Sequence, residues 1–165
     1  YQDLDMMQMA EVNETLVVVK RKHNIDTPFR CQSATKTEQR NETRYEYTLQ
    51  AAYLNGTHYE YVQQKVQVKL VLLPSREGYK SRYTDKDGVK FTLRLKEMDQ
   101  DRGCFVVMVT RNGTKGCELL VPVSKLATDI PAVCDNYYNT TCKGESIQLY
   151  EKNCSYNIPS TNPGC

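Results

Sequence analysis

Tryptophan is missing from all 165 residues, and histidine occurs only at His23 and His58. Neither histidine stands at a ligand spacing from a cysteine, and no Cys-X-X-Cys is present, so no metal site is expected. Apolar runs are short. The longest, "KLVLLP" and "FVVMV", fall far below the ~20 residues that a membrane-spanning helix needs, so no membrane span is expected. G-X-S-X-G, a phosphate loop and a dinucleotide glycine pattern are all missing, which argues against an enzyme and against a cofactor. Charge of one sign is also scarce: 22 Lys and Arg against 20 Asp and Glu leave +2. That balance gives no field pointing to nucleic acid. The basic run "KRKH" (20–23) is expected to be a solvated strand end. Internal repeats and low-complexity segments do not occur.

Seven cysteines and an excess of sequons are what the chain has instead. Asn-X-Ser/Thr falls at Asn13, Asn41, Asn55, Asn112, Asn139 and Asn153, where chance gives only about one or two. Asn55 and Asn112 lie in "NGT", turn chemistry between apolar runs. Asn153 is the weak sequon, because its middle residue is Cys154. Together the sequons argue for a secreted, extracellular glycoprotein, and the start at Tyr1 fits removal of a secretory signal or a trimmed chain. Thiols oxidise in that compartment, so the cysteines read as a disulfide framework, and a Cys/His nucleophile pair is disfavoured. Seven cysteines with one left over allow 105 pairings, and spacing does not choose among them.

Periodicity gives mostly strands. A short first helix is expected within 2–12, with Leu4, Met7 and Val12 on one side. "TLVVVKRK" (15–22) is β-branched and reads as a buried strand. "RYEYTLQAAYL" (44–54) alternates, with Tyr45, Tyr47, Leu49, Ala51 and Tyr53 on one face. Beyond the first "NGT", residues 58–73 return at period two. Segments 80–84, 90–95, 104–110, 117–123 and 146–152 continue as short strands, and 130–142 reads as a helix packed outside the sheet. The fold expected is all-β, an eight-stranded antiparallel up-and-down barrel with a short N-terminal and a C-terminal helix; a sandwich is the alternative. One domain spans 1–165, with 156–165 a loosely ordered tail.

In sequence the chain resembles the tick salivary lipocalins of the histamine-binding and japanin-like group. The resemblance rests on "MAEVNETLVVVKRK", "PFRC", "RYTDKDGVKFT", "GCFVVMV", "GCELL", "IPAVC" and "YEKNCSYN", in order along essentially the whole chain. It implies pairs Cys31–Cys154, Cys104–Cys134 and Cys117–Cys142, which leaves Cys165 free or intermolecular and raises a disulfide-linked dimer. It also implies a ligand in the barrel. Glu11, Asp26, Glu118, Tyr83 and Phe91 keep the group's binding character; Gln64, Leu93 and Phe105 stand where amine binders carry carboxylates. His23 replaces an aromatic residue, and Leu120 replaces a tryptophan.

The expected partner is a small-molecule host mediator: a lipid such as a sterol or eicosanoid, or at most one biogenic amine, since a desolvated ammonium needs an opposite charge and π faces. The alternative is an immune modulator that contacts a host protein or cell through its surface. Residue by residue there are plainer readings: Tyr83 and Phe91 as barrel filling, Asp26 as a turn former, Glu118 as a solvated face. Protein produced in an animal secretory system is expected to lose several kilodaltons on enzymatic deglycosylation, with both "NGT" sites occupied. Unchanged gel mobility would contradict that.

Overall fold

The computed structural model describes residues 3–23 and 27–157. In chain order they form helix α1 (Met7–Ala10), then strands β1 (Leu16–Lys22), β2 (Arg30–Asn41), β3 (Arg44–Asn55), β4 (His58–Leu72), β5 (Tyr79–Thr84), β6 (Lys90–Met98), β7 (Phe105–Arg111) and β8 (Thr114–Pro122). Helix α2 (Ala132–Thr141) and a short β9 (Ser146–Gln148) follow. Neighbouring strands from β2 to β8 pair antiparallel, β8 pairs with β1, and β1 returns to β2, closing an eight-stranded barrel. Closure removes the free strand edges that an open sheet leaves exposed.

The two "NGT" segments do form hairpin tips, in two different geometries. At the β7–β8 tip the central residues Asn112 and Gly113 both have positive φ, +48° and +86°, the requirement of a type I′ turn. At the β3–β4 tip Asn55 already pairs with His58, so Gly56 (φ +66°) and Thr57 make the loop. Asn55 and Asn112 are both exposed.

Alternation sorts the apolar residues of β7 and β8 into two separate cores. Phe105, Val107, Val109 and Leu120 pack into the barrel interior with Leu16, Val18, Leu95 and Tyr45. Cys104, Val106, Cys117, Leu119 and Val121 form the outer cluster with Cys134, Tyr138 and Cys142 of the α2 region. An apolar outer face must be covered, and α2 covers it. Disulfides Cys104–Cys134 and Cys117–Cys142 fasten both ends of that helix region to the wall, and Cys31–Cys154 ties β2 to the C-terminal segment. These are the three pairs that the resemblance implies. Cys165 lies outside the described residues.

Several boundaries differ from expectation. The N-terminal helix is one turn, because residues 3–6 instead run along the barrel end, where Leu4 bridges Leu95 and the Met6 N–H donates to the Tyr79 carbonyl. Strand β2 is absent from the periodicity reading. The last strand shrinks to Ser146–Gln148 on the edge of β1. The tail expected at 156–165 lies largely outside the described residues. "KRKH" is not a solvated end: Lys20 and Lys22 reach outward to the Tyr138 ring at 5.0 and 4.8 Å, while Arg21 pairs in register with Glu118.

Lys22 also donates to the carbonyls of Tyr138 and Cys142 at 3.0 and 3.1 Å, so a cation caps the negative end of α2. Lys22→Met keeps the stem and removes the cap. It should lower stability by about 1–2 kcal/mol in chemical denaturation, with the three disulfides intact; an unchanged midpoint would show that the cap contributes nothing.

Candidate ligand-binding site

The barrel encloses a cavity of about 230 Å³. Its floor is the N-terminal turn, where Met6, Met9 and Ala10 face inward. The wall is built by alternation. Tyr45, Tyr47, Leu49 and Ala51 of β3 face Val68, Val66, Gln64 and Val62 of β4 in register, and all eight line the cavity. Toward the β3–β4 and β5–β6 tips the lining turns polar, with Gln63, Gln64 and Lys86. Gln64 Oε1 accepts the Lys86 backbone N–H at 3.2 Å, which couples the β5–β6 turn to β4.

Glu118 is the one acid among the described lining residues. It is half-buried by exposed area and deeply set among protein atoms where it lines the cavity. Burial raises its carboxyl pKa above the ordinary value of 4.5, and the charge of Arg21, its register partner on β1, pulls the other way. Tyr83 is likewise deeply set and stacks on Phe91, with ring centroids 4.8 Å apart and planes at 11°. Burial and the nearby Glu118 and Asp85 raise the Tyr83 phenol, and burial and Tyr45 raise that of Tyr47, so both stay neutral donors.

The other expected residues divide. Leu93, Gln64 and Leu120 line the cavity with Glu118 and Tyr83. Phe91 sits behind Tyr83, and the Arg111 guanidinium lies 6.0 Å from its ring. Phe105 is wholly buried in the inner core. His23 lies against Gly116, where an added Cβ would fall 2.1 Å from His23 Cδ2, so glycine there is what admits the ring. Burial, then Arg21 and Arg111, lowers the His23 pKa and keeps the imidazole neutral. Glu11 is at the surface, paired with Arg102 at 3.0 Å and away from the cavity lining. Asp26 lies outside the described residues.

Sequence reasoning missed the floor and the β2 contribution, Gln32, Ser33 and Ala34. It also missed Lys36, an almost fully buried cation whose Nζ donates to the Ala10 carbonyl at 2.8 Å and sits 5.2 Å from the Tyr45 ring. Burial lowers its pKa, opposed by Glu11. The inward phase of Lys36 follows only from its register with Tyr47, a signal that needs β2 recognised as a strand first. No group of three or more His, Cys, Asp or Glu that could hold a metal occurs among the described residues.

A closed antiparallel barrel with an internal cavity, a helical floor and an outer helix stapled by disulfides defines a lipocalin-like binding fold. The family model described as "Tick histamine binding protein" matches residues 1–156, and the chain belongs to that family. Two solved structures are similar in fold. Japanin from Rhipicephalus appendiculatus, bound to cholesterol, superposes with a TM-score of 0.64 at 13% identity, over 87% of this chain and 96% of that one. AM182 in its serotonin complex gives 0.64 at 14% identity, over 98% and 97%. Among curated proteins, none matches the chain.

Because the folded-state pKa of Glu118 lies above its unfolded value, its contribution to stability is fully present below about pH 4.5 and is lost as pH rises through the folded pKa. Glu118→Gln should flatten that slope: the variant is expected to match the parent at acid pH and exceed it at neutral pH, read as Tm against pH. Parallel profiles would show that the carboxyl is not buried.

Proposed function

We propose that this chain is a secreted binding protein that sequesters one small host mediator inside its barrel and so modulates host inflammation or immunity. The favoured ligand has an uncharged, largely apolar body, as a sterol or eicosanoid does, with at most one biogenic amine held instead. The carrying observation is the cavity lining, in which aliphatic, methionine and tyrosine side chains surround a single carboxylate that already faces Arg21 in register. An amine cation would need that carboxylate for itself; a second amine would find no other among the described lining residues. An apolar body gains about 25 cal/mol for each Å² removed from water and needs no counter-ion. The polar end with Gln63, Gln64, Lys86 and Glu118 then receives a hydroxyl or other head group.

The family and the three disulfides support an extracellular site of action and a role in binding without catalysis. That japanin was solved with cholesterol and AM182 with serotonin supports small-molecule binding by this fold. Titration calorimetry with histamine and serotonin, beside displacement of a fluorescent sterol or fatty acid, tests the reading. Displacement by the lipid with at most one amine per chain is expected. Two amines bound at submicromolar affinity would overturn it, and binding of neither class would favour contact with a host protein through the surface.

A further inference from the structure

The outer wall of β4, β5 and β6 carries a concentration of positive charge that the net charge of +2 conceals. Arg44 of β3 pairs in register with Lys69 of β4, and Lys69 with Arg82 of β5, so three cations stand directly opposite one another across three strands. All three are exposed. Like charges opposed across a sheet cost stability, so folding does not account for this row. Exposed Lys65 and Lys90 extend the patch along β4 and β6. Among the described residues none of these five has a carboxylate within ion-pair distance. A second row lies beside the first, where Lys80 is held below its ordinary pKa by burial and then by Arg94 and Arg82, with Asp3 opposing. Asp3 itself is engaged by Arg94 and Lys96. Glu46, in register with Gln67 between Lys65 and Lys69, is the acid inside this row, and it is bonded to Thr37 and Gln67.

No sequon falls within β4, β5 or β6, and the nearest stand at two rims of the wall, Asn41 in register with Arg44 and Asn112 at the turn beside Lys90. We propose that this wall is a docking surface for a linear, highly sulfated polysaccharide of the extracellular matrix or cell surface. Charges spaced about 5 Å across the strands, with Lys65 and Lys69 about 13 Å apart along β4, suit an extended chain with repeated anions better than a single anionic group. The disulfide framework places the protein where the abundant polyanions are sulfated glycans. Binding there leaves the barrel cavity open, so the protein would be retained near its site of release while its interior stays available. The inference shares with the preceding reading only the extracellular location and does not depend on which ligand the cavity takes.

The test is elution of the full disulfide-bonded chain from immobilised heparin in a sodium chloride gradient, with hyaluronan and double-stranded DNA as competitors. The parent is expected to be retained above physiological salt, and heparin is expected to compete far better than hyaluronan, which carries carboxylates but no sulfates. Lys69→Ser/Arg82→Ser should weaken heparin affinity about tenfold and shallow its salt dependence, with Tm at or above the parent's because a repulsion is relieved. Lys125→Ser/Lys143→Ser removes the same charge from exposed positions elsewhere and should leave affinity nearly unchanged. Equal losses from the two pairs would overturn the proposal, as would elution below physiological salt. Stronger competition by DNA than by heparin would overturn it in favour of a nucleic-acid surface.

Discussion

The barrel depends on a narrow seam. β1 meets β2 through only two register pairs, Leu16 with Ala34 and Val17 with Ser33, supported by a buried hydroxyl contact of 2.7 Å between Thr15 and Thr35. Beyond Val18 the register of β1 against β8 shifts, and the far half of β1 takes β9 as its partner instead. The gap that opens between β1 and β2 is filled by backbone from the C-terminal segment. Leu149 donates to the Val19 carbonyl on one side and accepts from Cys31 on the other, with its side chain wholly buried. Cys31 takes a left-handed φ of +55° at the point where the β2 register slips. The Cys31–Cys154 bridge, closing a separation of 123 residues, holds that segment in the seam. Closing so long a loop constrains the unfolded chain strongly, and here the constraint falls where strand pairing is weakest.

A seam completed this way permits a hollow interior. Besides the inner cluster, this barrel has a second apolar layer outside the wall, where β7 and β8 meet α2. The two stapling bridges, with separations of 30 and 25 residues, keep that layer in place without using the lumen. The cavity floor is therefore free to be made of methionines on a single helical turn, flexible side chains that adapt to a bound shape.

Much of this was legible in the chain. The tyrosine alternation of 45–51 gave the correct inward face of β3, and the two Asn-Gly-Thr segments marked hairpin tips that the structure contains. Strand β2 was not legible, for a physical reason: "RCQSATKTEQRN" has no aliphatic run, because its buried positions besides Cys31 are Ser33, Thr35 and Lys36, the last two satisfied by the Thr15 hydroxyl and the Ala10 carbonyl. Propensity scales reward side chains that suit an apolar face, and buried polar side chains give them nothing to detect. Glu11 shows the opposite failure. Resemblance carries a residue's position along the chain, whereas whether it faces the lumen depends on how α1 ends, and here one turn leaves Glu11 outside against Arg102.

Charge in this protein is separated by the barrel wall. Inside, Glu118 and Arg21 oppose each other in register, Lys36 is neutralised in effect by a carbonyl and an aromatic face, and the tyrosines are held un-ionised. Outside, the β4–β6 wall keeps its cations exposed and largely uncompensated. A group moved from one side to the other would change its energetics entirely, since an exposed lysine interacts through water and a screening length of about 8–10 Å, while an enclosed one is screened far less and depends on the partners the interior gives it. The alternation that sets strand faces is thus also what separates an electrically quiet cavity from a charged exterior. On the two proposals made above, a ligand inside would be selected by shape and apolar area, and a partner outside by charge.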